Sequence, residues 1–170
     1  MSAVDWESAL AGVRLVALDV DGVLTDGRFY LSDEGVETKA FSTRDGHGIR
    51  RLLAAGVEVA VISGRASRAV EHRMQELGVR HVFLGCADKV AAFEQLTASL
   101  GMDARECVYI GDDLPDLPLM RKVGFPVTVA DAAVELRDFC PFTTHAAGGH
   151  GAVRELCDLV IASRARHQQG

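Results

Sequence analysis

The sequence lacks several features that define whole classes of protein. No apolar run in its 170 residues reaches the roughly 20 residues that a membrane-spanning helix needs. The net charge is −6 and no basic patch with interleaved aromatic residues is present, which disfavours nucleic-acid binding. Residues 1–7 lack the basic and then apolar order of a secretory signal. We therefore expect neither nucleic acid nor a membrane among the partners.

Cysteine is also scarce. The four cysteines stand singly, with no CxxC pair, at Cys86, Cys107, Cys140 and Cys157. Their even number would allow disulfides, but a chain of this length can bury about 70% of its unfolded surface and needs none. We predict reduced and mostly buried thiols, with Cys107 in the core, and a cytoplasmic protein.

Short apolar segments alternate with helical patterns along the chain. The apolar segments predict strands at residues 14–19, 57–62, 81–84, 106–110, 126–129 and 138–142. Helices are predicted at residues 5–11, 45–55 (capped by Asp45), 67–77, 88–100, 117–122 and 153–164, with one more between the last two strands and a frayed end at 167–170. This alternation predicts an α/β fold with a doubly wound, Rossmann-like parallel sheet. No linker interrupts it, so residues 1–170 are expected to form one domain.

Residues 27–40 depart from this alternation. Two short runs flank a polar turn that contains Gly35, which predicts a protruding β-hairpin. A two-stranded ribbon is only marginally stable alone. We therefore expect the hairpin to pack on something else, such as another subunit.

Two carboxylates directly follow the first predicted strand. Residues 15–18 are apolar, as in a strand buried on both faces, and Asp19 and Asp21 come next. Open α/β sheets bind ligands at the carboxyl ends of their strands. Such a pair can divide its work, with one carboxylate as nucleophile or metal ligand and the other as proton donor. A calcium loop does not explain the pair, because Leu24 and Tyr30 stand where its glycine and glutamate belong.

Further polar side chains follow later strands. Ser63-Gly64-Arg65 comes after the second strand and Asp112-Asp113 after the fourth, so these turns should meet at one edge of the sheet. Carboxylates crowded there would repel one another unless a cation lies among them, and oxygen ligands favour Mg²⁺. Ser63 and the Gly64 amide, at the start of a helix, would bind an anion. Lys89 would add a positive charge for a phosphate, which completes what phosphoryl transfer requires.

Taken one at a time, these residues have plainer interpretations. Ser63 and Gly64 also fit an ordinary strand-to-helix turn, and Lys89 fits a solvated helix residue. Residues 111–113 also fit a turn with a helix cap. It is their order after successive strands that favours a phosphoryl-transfer site.

The same residues match, in order, the four motifs of the haloacid dehalogenase-like phosphatases: DVDGV (19–23), Ser63, Lys89 and GDDxxD (111–116). A closer resemblance is to the 3-deoxy-D-manno-octulosonate 8-phosphate phosphatase family. It is carried by DVDGVLTDG (19–27), RDGHGIR (44–50), ISGR (62–65) and GGHGAVRE (148–155). The resemblance implies a capless hydrolase, a homotetramer in which the hairpin builds the assembly and helps to cover a neighbour's site.

The resemblance also implies roles for the acidic residues that match. Asp19 would attack phosphorus to form an aspartyl-phosphate, and it would also bind Mg²⁺. Asp21 would protonate the leaving sugar oxygen and then activate water, while its backbone carbonyl binds the metal. Asp112 would complete the metal ligands of the protein, with Asp113 and Asp116 in supporting positions.

Phosphate and substrate contacts follow from the same resemblance. Ser63, Gly64 and Lys89 would hold the phosphoryl oxygens. Arg65 and Arg73 are candidates for binding the carboxylate of an acid sugar, because a guanidinium matches a carboxylate bidentately. By spacing alone, Arg73 also fits a surface charge on a helix.

The function implied is hydrolysis of 3-deoxy-D-manno-octulosonate 8-phosphate to KDO and phosphate, in lipopolysaccharide biosynthesis. Two alternatives stay open. One is a phosphatase of a nine-carbon acid sugar 9-phosphate, a group in which the position of Arg65 can be acidic. The other is a non-catalytic oligomerisation module of a nucleotide-sugar synthetase, against which the intact acidic motifs count. His150 departs from the arginine that is frequent in this family.

Overall fold

The computed structural model describes residues 9–167 of the chain, and within them the strands form two sheets. Six strands form a parallel sheet, and the remaining two form an antiparallel ribbon. Their bounds are β1 (Leu15–Leu18), β2 (Tyr30–Leu31), β3 (Glu37–Thr38), β4 (Glu58–Ile62), β5 (His81–Phe83), β6 (Cys107–Gly111), β7 (Phe125–Thr128) and β8 (Phe142–Thr143).

The large sheet has the strand order β5-β4-β1-β6-β7-β8. Its central strands are buried almost throughout, whereas the edge strands β5 and β8 are half-buried, as expected where helices cover both faces of the sheet. From β1 the chain builds the sheet in one direction through β4 and β5, and it then returns to the other side of β1 with β6. The switch point therefore lies between β1 and β6. Doubly wound sheets bind ligands in the crevice that opens at such a switch point, beyond the carboxyl ends of the strands.

The register of the central strands aligns the turns that follow them. Leu18, the last residue of β1, pairs with Val61 of β4 on one side and with Ile110 of β6 on the other. The three strands therefore end almost level with one another. The turns that begin at Asp19, Ser63 and Asp112 consequently meet at one edge of the sheet.

Helices connect the strands and cover the sheet. They are α1 (Thr43–Ala54), α2 (Arg68–Leu77), α3 (Lys89–Leu100), α4 (Leu117–Met120), α5 (Val134–Phe139) and α6 (Ala152–His167). The side chains of Ser67 and Asp88 cap the N-termini of α2 and α3, and Gly78 and Gly101 end the same helices in the left-handed conformation. Helix α1 packs on α6, and α3 packs on α4.

The predicted doubly wound parallel sheet is confirmed, and most predicted elements lie within two residues of their observed bounds. The capping role predicted for Asp45 is wrong, because α1 begins at Thr43 and Ser42 is its cap. The Ser42 hydroxyl accepts a hydrogen bond of 3.4 Å from the Asp45 N–H. The strand predicted at 138–142 is also wrong. Helix α5 continues to Phe139, with Leu136 and Cys140 buried one helical turn apart, and β8 begins later. The helix predicted at 5–11 lies largely outside the described residues, as does the predicted frayed end beyond His167.

Strands β2 and β3 form the hairpin predicted for residues 27–40. The Gly35 N–H donates to the Ser32 carbonyl at 2.9 Å, and Gly35 has a φ of 79°. Glycine is the residue that most readily adopts this left-handed conformation. The turn is therefore the one that the sequence predicts.

All four cysteines are free thiols, and all but the half-buried Cys86 are buried, as predicted. Burial is the main cause that raises the pKa of Cys107 and of Cys140 to about 12. These thiols are therefore core side chains and remain protonated. Across residues 9–167, no helix combines the length and the apolar character that crossing a membrane requires.

Candidate active site

Asp19 lies immediately after β1, at the centre of the sheet edge. Its side chain is nearly buried, and Lys89 Nζ donates a hydrogen bond of 2.8 Å to its Oδ1. The pKa of Asp19 is raised from 3.8 to about 6, mainly by burial and then by the charge of Asp116, while the charge of Lys89 opposes the rise. A carboxylate with a perturbed pKa beside a lysine, in a cleft, is typical of a catalytic group.

Asp116 uses both carboxylate oxygens for hydrogen bonds. Its Oδ1 accepts from Lys89 Nζ and from the Tyr109 hydroxyl, each at 2.6 Å. Its Oδ2 accepts from the backbone N–H groups of Asp112 at 3.0 Å and Asp113 at 3.4 Å. Asp116 therefore holds Lys89 and the turn after β6 in place, which is consistent with the supporting position predicted for it.

Asp19, Asp112 and Asp116 form an acidic cluster in which one oxygen of each lies within 4.8 Å of the others. Burial, followed by the charges of Asp19 and Asp116, raises the pKa of Asp112 to about 8. Carboxylates that repel one another to this extent fit a divalent cation, and a donor set made only of oxygen matches Mg²⁺. The predicted metal ligands Asp19 and Asp112 are thus brought together. The side chain of Asp21 is not part of this cluster.

The turn after β1 is tight. The backbone N–H groups of residues 23–25 all bond to the carbonyl of Val20, and Gly22 has a φ of 88°. A Cβ atom at Gly22 would overlap with the Asp112 carboxylate. Glycine is therefore required at this position both for the left-handed backbone and for the close approach of Asp112.

A Gly-rich loop, residues 147–151, packs directly on this turn. The Gly149 N–H donates to the Val23 carbonyl at 2.9 Å, and a Cβ atom at Gly148 would overlap with the Gly22 carbonyl. Asp45, which is buried in α1, accepts a hydrogen bond of 2.8 Å from the Arg154 N–H just after the loop. The Gly-rich loop thus packs against and supports the turn that carries Asp19 and Asp21. A single methyl group at Gly148 would overlap with that turn and displace the loop.

Asp21 has different neighbours from Asp19. Lys39 Nζ contacts Asp21 Oδ1, and Arg65 Nε lies 3.8 Å from Asp21 Oδ2. Glu37 lies beside both cations: it accepts a hydrogen bond of 2.9 Å from Arg65 Nη2, and its Oε1 is 3.7 Å from Lys39 Nζ. The two aspartates of the motif therefore have separate partners, as expected if they do different work.

Ser63 and Gly64 lie in the turn after β4. Ser63 is almost fully buried, and its Oγ accepts a hydrogen bond of 3.3 Å from the Arg65 N–H. The prediction that Gly64 stands at the start of a helix is wrong, because Ser67 is the cap and α2 begins at Arg68. An anion bound here would meet the N–H groups of a turn instead of those of a helix.

One open cleft of about 380 Å³ collects these side chains. It is lined by Asp19, Asp21, Gly27, Ser63, Gly64, Arg65, Lys89, Asp112, Asp113, Pro115 and Asp116. Every predicted site residue except Arg73 is among them. Arg73 lines a separate groove beside α1, where its Nη1 donates to Glu76 Oε2 at 2.8 Å. Within one chain, Arg73 therefore does not contribute to this cleft, since α2 directs it toward α1.

Lys39, Glu37 and Tyr109 were not predicted from the sequence, although each contacts a predicted residue of the cleft. Glu37 and Lys39 are two apart in an extended segment and therefore share a face, which is a signal that the sequence contains. It does not say which surface that face meets. Tyr109 stands within a buried apolar run, so its hydroxyl could not be distinguished from an ordinary core tyrosine.

The fold and the cleft together define a class of protein. A doubly wound sheet with Asp19 and Asp112 at its switch point, and Lys89 bonded to the first of them, is the arrangement of a haloacid dehalogenase-like hydrolase. Residues 85–156 match the family model described as haloacid dehalogenase-like hydrolase.

Similar proteins narrow this class. The chain is 47% identical to the 3-deoxy-D-manno-octulosonate 8-phosphate phosphatase KdsC of Salmonella typhi, over 91% of this chain and 82% of that protein. The crystal structure of that phosphatase from Yersinia pestis matches with a TM-score of 0.94 at 42% identity, covering 97% of this chain and 89% of that one. The structure from Moraxella catarrhalis, in complex with magnesium ion, phosphate ion and KDO, matches with a TM-score of 0.92 at 39% identity, covering 97% and 95%. This chain belongs to the 3-deoxy-D-manno-octulosonate 8-phosphate phosphatase family, which confirms the resemblance found in its sequence.

Proposed function

We propose that this protein is a Mg²⁺-dependent phosphatase that hydrolyses 3-deoxy-D-manno-octulosonate 8-phosphate to KDO and phosphate, a step of lipopolysaccharide biosynthesis. The observation that carries this proposal is the meeting of Asp19, Lys89 and Asp112 in one cleft at the switch point of the sheet. Membership of the family supports the choice of sugar phosphate.

The reaction takes two steps, and Asp19 and Asp21 act in both. A carboxylate oxygen of Asp19 attacks phosphorus, the bond from phosphorus to the sugar oxygen breaks, and Asp21 gives its proton to that oxygen. KDO leaves and an aspartyl-phosphate remains. Asp21 then takes a proton from a water molecule. The oxygen of that water attacks the same phosphorus, the bond from phosphorus to Asp19 breaks, and phosphate is released.

Phosphoryl transfer depends mainly on positioning and on charge neutralisation. Lys89 lies 2.8 Å from the nucleophile, so its charge stands beside the phosphorus that is attacked. Burial alone would lower the pKa of Lys89, but Asp19 and Asp116 more than offset this and raise it, so the amine stays charged. Ser63 and the Gly64 amide hold the phosphoryl oxygens from the opposite turn.

Asp19, Asp112 and the backbone carbonyl of Asp21 would hold Mg²⁺. When bound there, the ion supplies positive charge to the phosphoryl oxygens. Asp113 and Asp116 support this arrangement through the backbone. Asp113 Oδ1 accepts a hydrogen bond of 2.8 Å from the Leu114 N–H and thereby caps the short 3-10 turn that carries Asp116.

Arg65 is suited to the carboxylate of the sugar acid. Its side chain is half exposed at the rim of the cleft, and its guanidinium lies 4.2 Å from the centre of the Phe29 ring. This contact and the bond to Glu37 keep the guanidinium oriented. Arg73 lines a different groove and would reach a substrate only from a neighbouring subunit.

The proposal is tested by phosphate release from a panel of sugar phosphates, assayed with Mg²⁺ and with EDTA. We expect the eight-carbon acid sugar phosphate to be preferred over nine-carbon acid sugar phosphates and hexose phosphates, with no turnover in EDTA. Preference for a nine-carbon sugar would replace the proposed substrate. Full activity in EDTA would overturn the metal requirement, and no release from any sugar would identify a non-catalytic module.

We also propose that the chain works as a homotetramer built through its hairpin. The hairpin exposes four large apolar side chains, which together form the hairpin patch: Phe29 (40% exposed), Tyr30 (69%), Leu31 (65%) and Val36 (63%). A groove of about 740 Å³ lies between the hairpin and the first turn of α2. A second copy of the chain that covers the hairpin patch would stabilise a ribbon that is marginal alone. The free thiols support the cytoplasm as the compartment.

A further inference from the structure

Lys39 is a buried cation that the phosphatase mechanism above does not use. Its side chain has no exposed surface, and its ammonium contacts Asp21 Oδ1. Glu37 Oε1 lies 3.7 Å away and the centre of the Phe29 ring 5.6 Å away. Removing an ammonium from water is costly unless it is paired, so a lysine at this position depends on these partners.

The partners of Lys39 are themselves held in place. Glu37 Oε1 accepts a hydrogen bond of 2.6 Å from the Ser67 hydroxyl, and Glu37 Oε2 accepts one of 2.9 Å from Arg65 Nη2. The base of the hairpin is thus tied to the cap of α2. Lys39 extends from this tied base to Asp21, which lies 18 residues earlier in the chain.

Asp21 is held from two sides. Lys39 contacts its Oδ1, and Arg65 Nε stands 3.8 Å from its Oδ2. Two cations on different oxygens restrict rotation of the carboxyl group about its last side-chain bond. Lys39 does not line the cleft, whereas Asp21 does, so any effect of Lys39 on the substrate passes through Asp21.

We propose that Lys39 is a positioning residue that acts through Asp21. It pairs with Oδ1 of Asp21 and so leaves Oδ2 as the oxygen that carries the proton, which passes to the leaving sugar oxygen as the bond from phosphorus to that oxygen breaks. The proposal rests on the proposed phosphatase function. Through Lys39, each subunit uses the base of its own hairpin to orient its own proton donor.

The test compares two leaving groups in the intact protein with Mg²⁺. A sugar oxygen needs a proton as it leaves, whereas p-nitrophenolate does not. For Lys39→Met we expect kcat/KM on 3-deoxy-D-manno-octulosonate 8-phosphate to fall about tenfold or more, and kcat/KM on p-nitrophenyl phosphate to change by less than about threefold. Lys39→Arg should restore most of the ratio between the two substrates. Equal losses on both substrates would overturn the proposal.

A double-mutant cycle adds a second readout. If Lys39 acts through Asp21, then Lys39→Met should have no further effect on kcat/KM in an Asp21→Asn background. Losses that multiply independently would overturn the inference. Lys122→Met is the matched control, since Lys122 is exposed and pairs only with Glu94 at 3.3 Å in the described contacts; it should leave both substrates unaffected.

Two further outcomes, an inactive wild type and a variant that does not fold, have their own interpretations. Wild-type protein that releases phosphate from neither substrate refutes the proposed function before any variant is compared. If Lys39→Met does not fold by circular dichroism, Lys39→Gln replaces it, because it removes the charge but keeps a polar end at this buried position. Lys39→Gln should shift the ratio of the two substrates in the same direction, and an unchanged ratio would overturn the inference.

Discussion

The acidic cluster at the sheet edge and the hairpin patch differ in what they bury and what they expose. The cluster withdraws charge from water: Asp19 and Asp116 are buried, and Lys89 bonds to both. The hairpin patch does the opposite, since Tyr30 and Leu31 are more than half exposed. Each arrangement costs stability in an isolated chain, for different reasons.

The difference teaches what each region needs in order to be complete. Buried carboxylates with raised pKa values require a cation, which the cleft can take from solution. Exposed apolar side chains require another surface, which only a protein can supply. We therefore expect chemistry to depend on the sheet edge and the base of the hairpin, and the proposed assembly to depend on the hairpin patch, so that the two functions should separate under mutation.

The largest effect is expected from Asp19→Asn. Removal of the nucleophile should lower kcat on the sugar phosphate at least about a thousandfold, measured as phosphate release. The melting temperature and the sedimentation coefficient should stay near those of the wild type, because the amide keeps the shape of the side chain. Asp138→Asn, on the exposed surface of α5, is the matched control and should keep full activity. An active and folded Asp19→Asn variant would remove Asp19 from the mechanism.

Substitutions in the hairpin patch should have the opposite effect, since they should change assembly and leave the fold intact. The double substitution Tyr30→Ser with Leu31→Ser removes apolar area from the hairpin patch, so analytical ultracentrifugation should find smaller species than for the wild type, which we propose to be a tetramer. The sheet does not depend on these side chains, and circular dichroism should therefore be unchanged. Val134→Ser is the control, since Val134 is 54% exposed on another surface. Wild-type protein that sediments only as a monomer would refute the role of the hairpin in assembly.

Stabilisation by Mg²⁺ should depend on pH. The folded-state pKa values of Asp19 and Asp112, about 6 and about 8, lie above the unfolded value of 3.8. Between about pH 4 and about pH 8 the metal-free folded protein thus binds more protons than the unfolded chain, so the cluster lowers the free energy of unfolding as pH rises.

Mg²⁺ binds the ionised carboxylates and thereby offsets this fall in the free energy of unfolding. The difference in melting temperature between Mg²⁺ and EDTA should therefore be larger at about pH 8 than at about pH 5. Asp112→Asn should make that difference smaller and flatter. An equal difference at both pH values in the wild type would show that the cluster is not the site of stabilisation.

The smallest effect is expected at Asp45, which binds the segment that follows the Gly-rich loop. Asp45→Ala removes the acceptor of the Arg154 N–H and should lower the free energy of unfolding by about 1–3 kcal/mol, measured by urea denaturation. Asp45→Asn keeps that acceptor and should cost less. Asp138→Ala serves as the exposed control. If Asp45→Ala were as stable as the control, the link from α1 to the Gly-rich loop would contribute nothing to folding.

Much of the site could be predicted because the strands are parallel and nearly in register. Asp19, Ser63 and Asp112 each follow a buried strand, and parallel strands deliver such positions to one edge. Arg73 could not be placed in the same way. It lies within a helix, and its direction depends on how α2 rotates against α1.

The sequence by itself determined the alternation of strands and helices, the chemical types at the sheet edge and the family. Those features follow from local patterns and from the order of motifs along the chain. Only the tertiary structure decided that Lys89 bonds to Asp19 across 70 residues, that Asp116 holds both Lys89 and the turn after β6, and that Lys39 reaches Asp21. The physical reason is that a hydrogen bond depends on distances of a few ångströms between side chains, which helix rotation and strand packing set after the chain has folded.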